Sequence, residues 1–194
     1  MIKQVFIING SGGVGKDTFV EFVEMIPTFV DKNENNTVWF KNLEIRNYSS
    51  VSKVKEIAKI IGWNGEKTER DRKFLSDLKL LTTEYNDMPL NDMKKYTRSF
   101  MNSGDINRNR ILFLHIREPE EIAKAVNEFK EYNVKTILIR RDSIKHITSN
   151  MADENVYNYN YDIVINNNST LEELRKKTEC FLVDVLHDSM KDEY

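Results

Sequence analysis

Two kinds of apolar pattern alternate along this chain. Short unbroken runs, Gln4 to Asn9 (QVFIIN) and Ile111 to Ile116 (ILFLHI), have the pattern of central strands covered on both faces. Thr136 to Ile139, Asp162 to Ile165 (DIVI) and Thr37 to Phe40 are further strand candidates. Between them lie stretches with helical spacing. One begins near Lys16, carries Phe19, Val20, Phe22, Val23 and Ile26, and is closed by Pro27. Ser52 to Ile61 places Val54, Ile57, Ala58 and Ile61 on one stripe, with Gly62 as its stop. Glu69 to Asn86 repeats Phe74, Leu78, Leu81 and Tyr85 on one face. Leu90 to Met101 follows Pro89 and ends near Gly104. Glu118-Pro119-Glu120-Glu121 opens another helix, with proline in the first turn and carboxylates at the positive end of the dipole. Ser169 to Leu186 is the last, with Ser169 and Glu172 as a capping box and Leu171, Leu174, Phe181 and Val185 as the buried stripe. Asp31 to Thr37 (DKNENNT) reads as a surface loop, and Arg140 to Tyr161 as polar and irregular. This alternation predicts an α/β fold of three layers around a mostly parallel five-stranded sheet.

Composition narrows the picture without changing it. A chain of 194 residues suits one well-filled domain. Its 29 basic and 31 acidic residues leave a net charge of -2, which gives no global attraction to nucleic acid or an anionic membrane. No apolar run approaches the roughly 20 residues of a membrane helix. The single Cys180 has no partner for an internal disulfide, so a cytoplasmic setting is expected.

The most informative segment is Gly10-Ser11-Gly12-Gly13-Val14-Gly15-Lys16-Asp17-Thr18. It fits the Walker A pattern G-x-x-x-x-G-K, at the turn from a buried strand into a helix, which is the context that pattern requires. Glycines let successive N–H groups point inward at a polyphosphate, and the helix that follows adds its own unpaired N–H groups and dipole. Lys16 is suited to the β- and γ-phosphates as a point charge, and Thr18 to the α-phosphate. Asp17 stands where the pattern has a Ser or Thr that ligates magnesium. A carboxylate is also a hard oxygen ligand, so Asp17 is a candidate for holding Mg²⁺. The alternative is an acid favoured only by the helix dipole.

Two large classes that share this loop are excluded by what is missing. A GTPase switch reads D-x-x-G, and the residues three before Gly62, Gly65 and Gly104 are Lys59, Gly62 and Met101. There is no N-K-x-D motif. A motor-type ATPase has an apolar strand ending in Asp, and here Ile111 to Leu114 ends in His115. A small kinase remains, whose chemistry needs positioning and cations rather than a water-activating switch.

GSGGVGKDT resembles the GKD-type loop of phage-type deoxynucleoside monophosphate kinases and animal-type phosphomevalonate kinases. LFLHIREPEEI, TILIRRD and YDIVINNNSTLEEL are similar to successive later elements of those enzymes. The resemblance implies a P-loop kinase-like domain over 1–194, with an acceptor-binding helical insertion around 64–104 and a lid around 140–160. It implies ATP or GTP as donor, with ATP and Mg²⁺ as the expected cofactors, and a small phosphorylated acceptor. One departure is His115, where those kinases carry Asp.

Candidate site residues follow. Gly10, Ser11, Gly12, Gly13, Val14, Gly15, Lys16, Asp17 and Thr18 form the donor loop. Arg117 lies at the carboxyl end of a core strand, where ligands bind in open α/β sheets, and the resemblance points to it as an acceptor-phosphate contact. Its alternative is an ion pair with Glu118, Glu120 or Glu121. Arg70 and Arg72, in the cluster Arg70-Asp71-Arg72-Lys73, and Arg98 are candidate acceptor contacts or a solvated helix face. Arg140 and Arg141, with Lys145 and His146, fall where a lid supplies cations that stabilise charge on the transferring group. Asn155 to Tyr161 (NVYNYNY) reads as lid or structural loop, and Asn166 and Asn167 as neighbours of the adenine. His115 and His146 lack partners at metal-ligand spacing, so no zinc site is expected. Three functions stay open: a nucleoside monophosphate kinase, a regulatory or scaffold P-loop protein without transfer, and a kinase for a phosphorylated metabolite.

Overall fold

In a computed structural model, residues 2–30, 43–104, 108–143 and 155–191 are described. Five strands, β1 (Lys3–Asn9), β2 (Leu43–Ser49), β3 (Asn109–His115), β4 (Lys135–Arg140) and β5 (Ile163–Asn166), form one parallel sheet in the order β2-β3-β1-β4-β5. The six helices are α1 (Lys16–Val30), α2 (Ser52–Ile60), α3 (Glu69–Asn86), α4 (Met88–Met101), α5 (Pro119–Glu128) and α6 (Leu171–Lys191).

The strand order decides where a ligand can bind. The chain leaves β1 towards β2 on one side, and the crossover from β3 to β4 passes β1 in the opposite direction. Right-handed crossovers then put α1 and α5 on opposite faces, and the end of β1 lies at the switch point. Phe6 and Ile8 of β1 face α1 and α6 together with Ile111, Phe113, Ile137, Ile139 and Ile165. Alternate residues Val5, Ile7, Leu112 and Leu114 are buried on the other face. An aromatic cluster locks α1 and α6 to the sheet. Phe6 meets Phe113 at 5.4 Å and Phe181 at 5.1 Å, and Phe19 meets Phe181 at 5.3 Å.

The chain divides into two compact units, residues 1–47 with 104–194, and residues 48–103. The second unit is built from α2, α3 and α4, which pack on one another. Within it the Tyr48 ring stacks on Tyr96 at 4.0 Å, and its hydroxyl donates to Asp92 at 2.6 Å. Burial and that acidic neighbour push the Tyr48 hydroxyl well above its usual range.

Several expectations are corrected. The helix begun at Lys16 runs through Pro27 to Val30, so the one N–H that proline lacks does not end it. The first edge strand is at Leu43–Ser49; the expected strand at 37–40 and the polar loop at 31–37 lie outside the described residues. On α3 the expected apolar face is only partly covered: Phe74 and Leu78 are half-buried, whereas Leu81 and Tyr85 are 63% and 84% exposed. The last helix begins two residues later than expected. Thr170, not Ser169, accepts from the Glu173 amide at 3.3 Å, so the cap is displaced by one residue. That shift leaves Leu171 exposed, while Leu174, Phe181, Leu182, Val185 and Leu186 are buried.

Candidate active site

The loop from Gly10 to Gly15 leaves the carboxyl end of β1 and enters α1 at Lys16, where the Phe19 amide donates to the Gly15 carbonyl at 2.9 Å. Two glycines are required by space as well as by backbone angle. A Cβ at Gly10, φ +150°, would lie 2.3 Å from the Ile139 carbonyl oxygen of β4. One at Gly15, φ +97°, would lie 2.5 Å from the Asn167 side-chain nitrogen. Lys16 curls back over the loop, its ammonium donating to the Gly10 carbonyl at 2.5 Å and the Ser11 carbonyl at 2.8 Å. Its charge is therefore held at the mouth of the loop.

Two buried carboxamides hold this loop in place. Asn167, buried after β5, donates to the Val14 carbonyl at 2.8 Å. Asn9, fully buried at the end of β1, accepts from the Gly10 amide at 2.8 Å. The Asn9 amide also donates to the Arg117 carbonyl at 2.8 Å and to the Tyr161 hydroxyl at 2.7 Å. Tyr161 in turn donates to the Val156 carbonyl at 2.8 Å. Burial pushes the Tyr161 hydroxyl up to about 12, against the opposing bond from Asn9. One carboxamide thus joins the loop, the β3–α5 junction and the 155–161 turn. Asn9 and Tyr161 were not anticipated. The available signal was a single Asn inside an otherwise apolar strand, since a buried amide there must find partners.

The other candidates are placed as follows. Asp17, in the first turn of α1, is 88% exposed, and its Oδ1 lies 3.9 Å from Nδ1 of His115 at the end of β3. Thr18 is half-buried beside it. Arg117 follows β3 with an exposed side chain. Glu118 is the residue preceding α5. Arg140 ends β4 and pairs with Asp142 at 3.1 Å, a carboxylate that also accepts from Asn168 at 2.6 Å. Arg141 is half-buried, and its Nε is buried without an acceptor among the described residues. Lys145 and His146, and the lid region over 144–154, lie outside the described residues. Residues Asn155–Asn158 form a single 3₁₀ turn anchored by buried Val156. Asn167 serves the loop itself, while the Asn166 carbonyl accepts from Lys177 at 2.5 Å.

Arg70, Arg72 and Arg98 belong to the helical unit and are exposed there. Their neighbours have helical tasks. Asp71 forms a capping box with Thr68, and Lys73 pairs with Asp77 at 2.7 Å. That arrangement suits a solvated face as well as a binding wall.

The residues present fit a nucleoside polyphosphate. Gly10, Gly13 and Gly15 adopt positive φ, the backbone form that lets a loop curl its N–H groups inward. Ser11 Oγ and Arg141 Nε are buried polar atoms without partners among the described residues, and a bound anion would satisfy them. A divalent cation finds a carboxylate and an imidazole side by side in Asp17 and His115.

No family model matches the sequence, and no curated protein matches it. Solved structures do resemble the fold. The APS kinase CysC of Mycobacterium tuberculosis, in complex with AMPPNP and APS, superposes with a TM-score of 0.51 and 12% identity over 96% of this chain and 98% of that one. A sugar kinase from a Janibacter species gives 0.48 and 11% over 94% and 95%, and the shikimate kinase of Aquifex aeolicus 0.43 and 14% over 96% and 98%. At such identity the first of these shows the fold alone: an α/β domain built on a five-stranded parallel sheet.

Proposed function

We propose that this protein is an ATP-dependent kinase that phosphorylates a small phosphorylated acceptor, a nucleoside or deoxynucleoside monophosphate. The observation that carries the reading is the loop at the switch point of the sheet, with the Lys16 ammonium held at its mouth. A neighbour of this fold whose structure holds both AMPPNP and APS is consistent with it.

In this reading an acceptor phosphate oxygen attacks the γ-phosphorus in line as the bond to ADP breaks. The loop amides and Lys16 stabilise charge on the equatorial and leaving oxygens. Asp17 would hold a divalent cation, which would neutralise part of the phosphate charge. Arg141 offers a buried donor to the transferring group, and Arg117, at the carboxyl end of β3, is the acceptor-phosphate contact. The protein would act in the cytoplasm.

A coupled assay of ADP release with ATP, Mg²⁺ and a panel of monophosphates tests this. Turnover on a nucleoside monophosphate supports it. Turnover only on a non-nucleotide phosphate moves the acceptor class. One observation bears on a second reading, a regulatory P-loop protein without transfer: Arg140 is engaged in an exposed pair with Asp142. Tight ATP binding with no turnover on any acceptor would establish that alternative.

A further inference from the structure

The loop's metal position has an unusual composition. Asp17 and His115 are distant in sequence, and parallel pairing of β3 with β1 brings them together. Ile8 aligns with His115, so the imidazole emerges level with the start of the loop, one strand away. Asp17 reaches the same place from the first turn of α1. Their facing atoms, Asp17 Oδ1 and His115 Nδ1, are 3.9 Å apart.

That separation is wider than two adjacent ligands of one cation need, and the exposed Asp17 carboxylate would turn towards the imidazole to share an ion with it. Ligand atoms about 2.1 Å from an ion lie roughly 3.0 Å apart at a right angle and about 4.2 Å apart when opposite. The imidazole is mostly enclosed, with 17% of its side chain exposed, whereas Asp17 is free to adjust. Magnesium takes oxygen donors and is reluctant to exchange its waters for anything else. An imidazole nitrogen in place of a second oxygen favours first-row transition metals, whose affinity for nitrogen donors rises along the series from manganese.

We propose that Asp17 and His115 together bind the nucleotide's divalent cation through one oxygen and one nitrogen, so that the site accepts a first-row transition-metal ion in preference to magnesium. The phosphates and water complete the shell. This inference rests on nucleotide binding by the loop, and the experiment separates the two.

Manganese(II), the weakest nitrogen binder of the series, is the probe, added with ADP to protein labelled with ¹⁵N at histidine. Loss of the free manganese signal on adding ADP, beyond the loss the same ADP causes without protein, reports binding at the loop. Pulsed electron paramagnetic resonance of the bound ion then reports whether a histidine nitrogen is a ligand. The expected result is a ¹⁵N coupling in the wild type that disappears in His115→Gln. His115→Asp, which restores an all-oxygen pair, should shift the manganese-over-magnesium preference towards magnesium by about tenfold. Manganese bound with ADP but without ¹⁵N coupling overturns the nitrogen ligand and leaves the nucleotide reading intact. A coupling that survives in His115→Gln assigns it to another histidine and also overturns the inference. No ADP-dependent binding of manganese, in the face of ADP binding measured without metal, overturns the site. No ADP binding at all overturns both.

Discussion

The side chain of Asn167 fills the space that a Cβ on Gly15 would occupy, and from there it donates to the Val14 carbonyl at 2.8 Å. The last strand of the sheet therefore clamps the loop that follows the first. A loop meant to present many N–H groups at once has to be held open against its own flexibility, and a buried carboxamide does this with one bond.

Breaking that clamp has a defined cost. Asn167→Ala leaves the Val14 carbonyl without this donor, and a loss of about 1–3 kcal/mol in unfolding free energy is expected. Gly15→Ala should cost more, because the new methyl meets Asn167 and the backbone is at φ +97°. Combining the two should be less damaging than the sum, since Asn167→Ala removes the clash. Denaturant unfolding of the three variants reads this. Strict additivity would contradict the clamp.

Tyr161 supplies a pH test. Its hydroxyl titrates at about 12 in the folded chain against an ordinary value of 10.0. A group whose folded pKa is raised contributes stability that is complete below the unfolded value and is lost as pH rises through the folded one. Unfolding free energy should thus fall between about pH 10 and 12, and Tyr161→Phe should flatten part of that fall. Below pH 10 the same variant should cost about 1–3 kcal/mol through the partners it leaves on Asn9 and Val156. Chemical denaturation across pH measures both. An unchanged slope in the variant would show that the hydroxyl is not buried as described.

The neighbouring arginines should behave differently. Arg140 is in an exposed pair with Asp142, worth about 0–1 kcal/mol, and Arg140→Ala should change neither stability nor nucleotide affinity by much. Arg141 carries a buried Nε without an acceptor among the described residues. Arg141→Met should be neutral or stabilising in thermal unfolding while weakening ATP binding about tenfold or more, the cost of one charge-assisted contact. Destabilisation with unchanged ATP affinity would assign Arg141 a structural role.

What was legible in the sequence follows from which signals are local. The glycine loop, the buried runs of β1 and β3 and the helix from Glu69 to Asn86 are encoded by neighbouring residues, and they stand where their patterns put them. Features set by partners far along the chain were not legible. The apolar stripe on α3 has the spacing of a buried face, yet Leu81 and Tyr85 stand in solvent because burial needs a second element. The bond from Asn167 to the Val14 carbonyl was not legible, because it spans 153 residues. The pairing of Asp17 with His115 was hidden for the same reason. No spacing rule anticipates it, since parallel pairing of β1 with β3 creates it.

The most direct test of the account is ATP affinity, measured by calorimetry on the wild type and on Lys16→Ala. The ammonium that now rests on the Gly10 and Ser11 carbonyls should turn to the phosphates, so its removal should weaken binding about 10–100-fold, the worth of a charge-assisted hydrogen bond. Wild-type binding that the substitution leaves unchanged, in a variant that still melts cooperatively, would contradict the assignment of the loop.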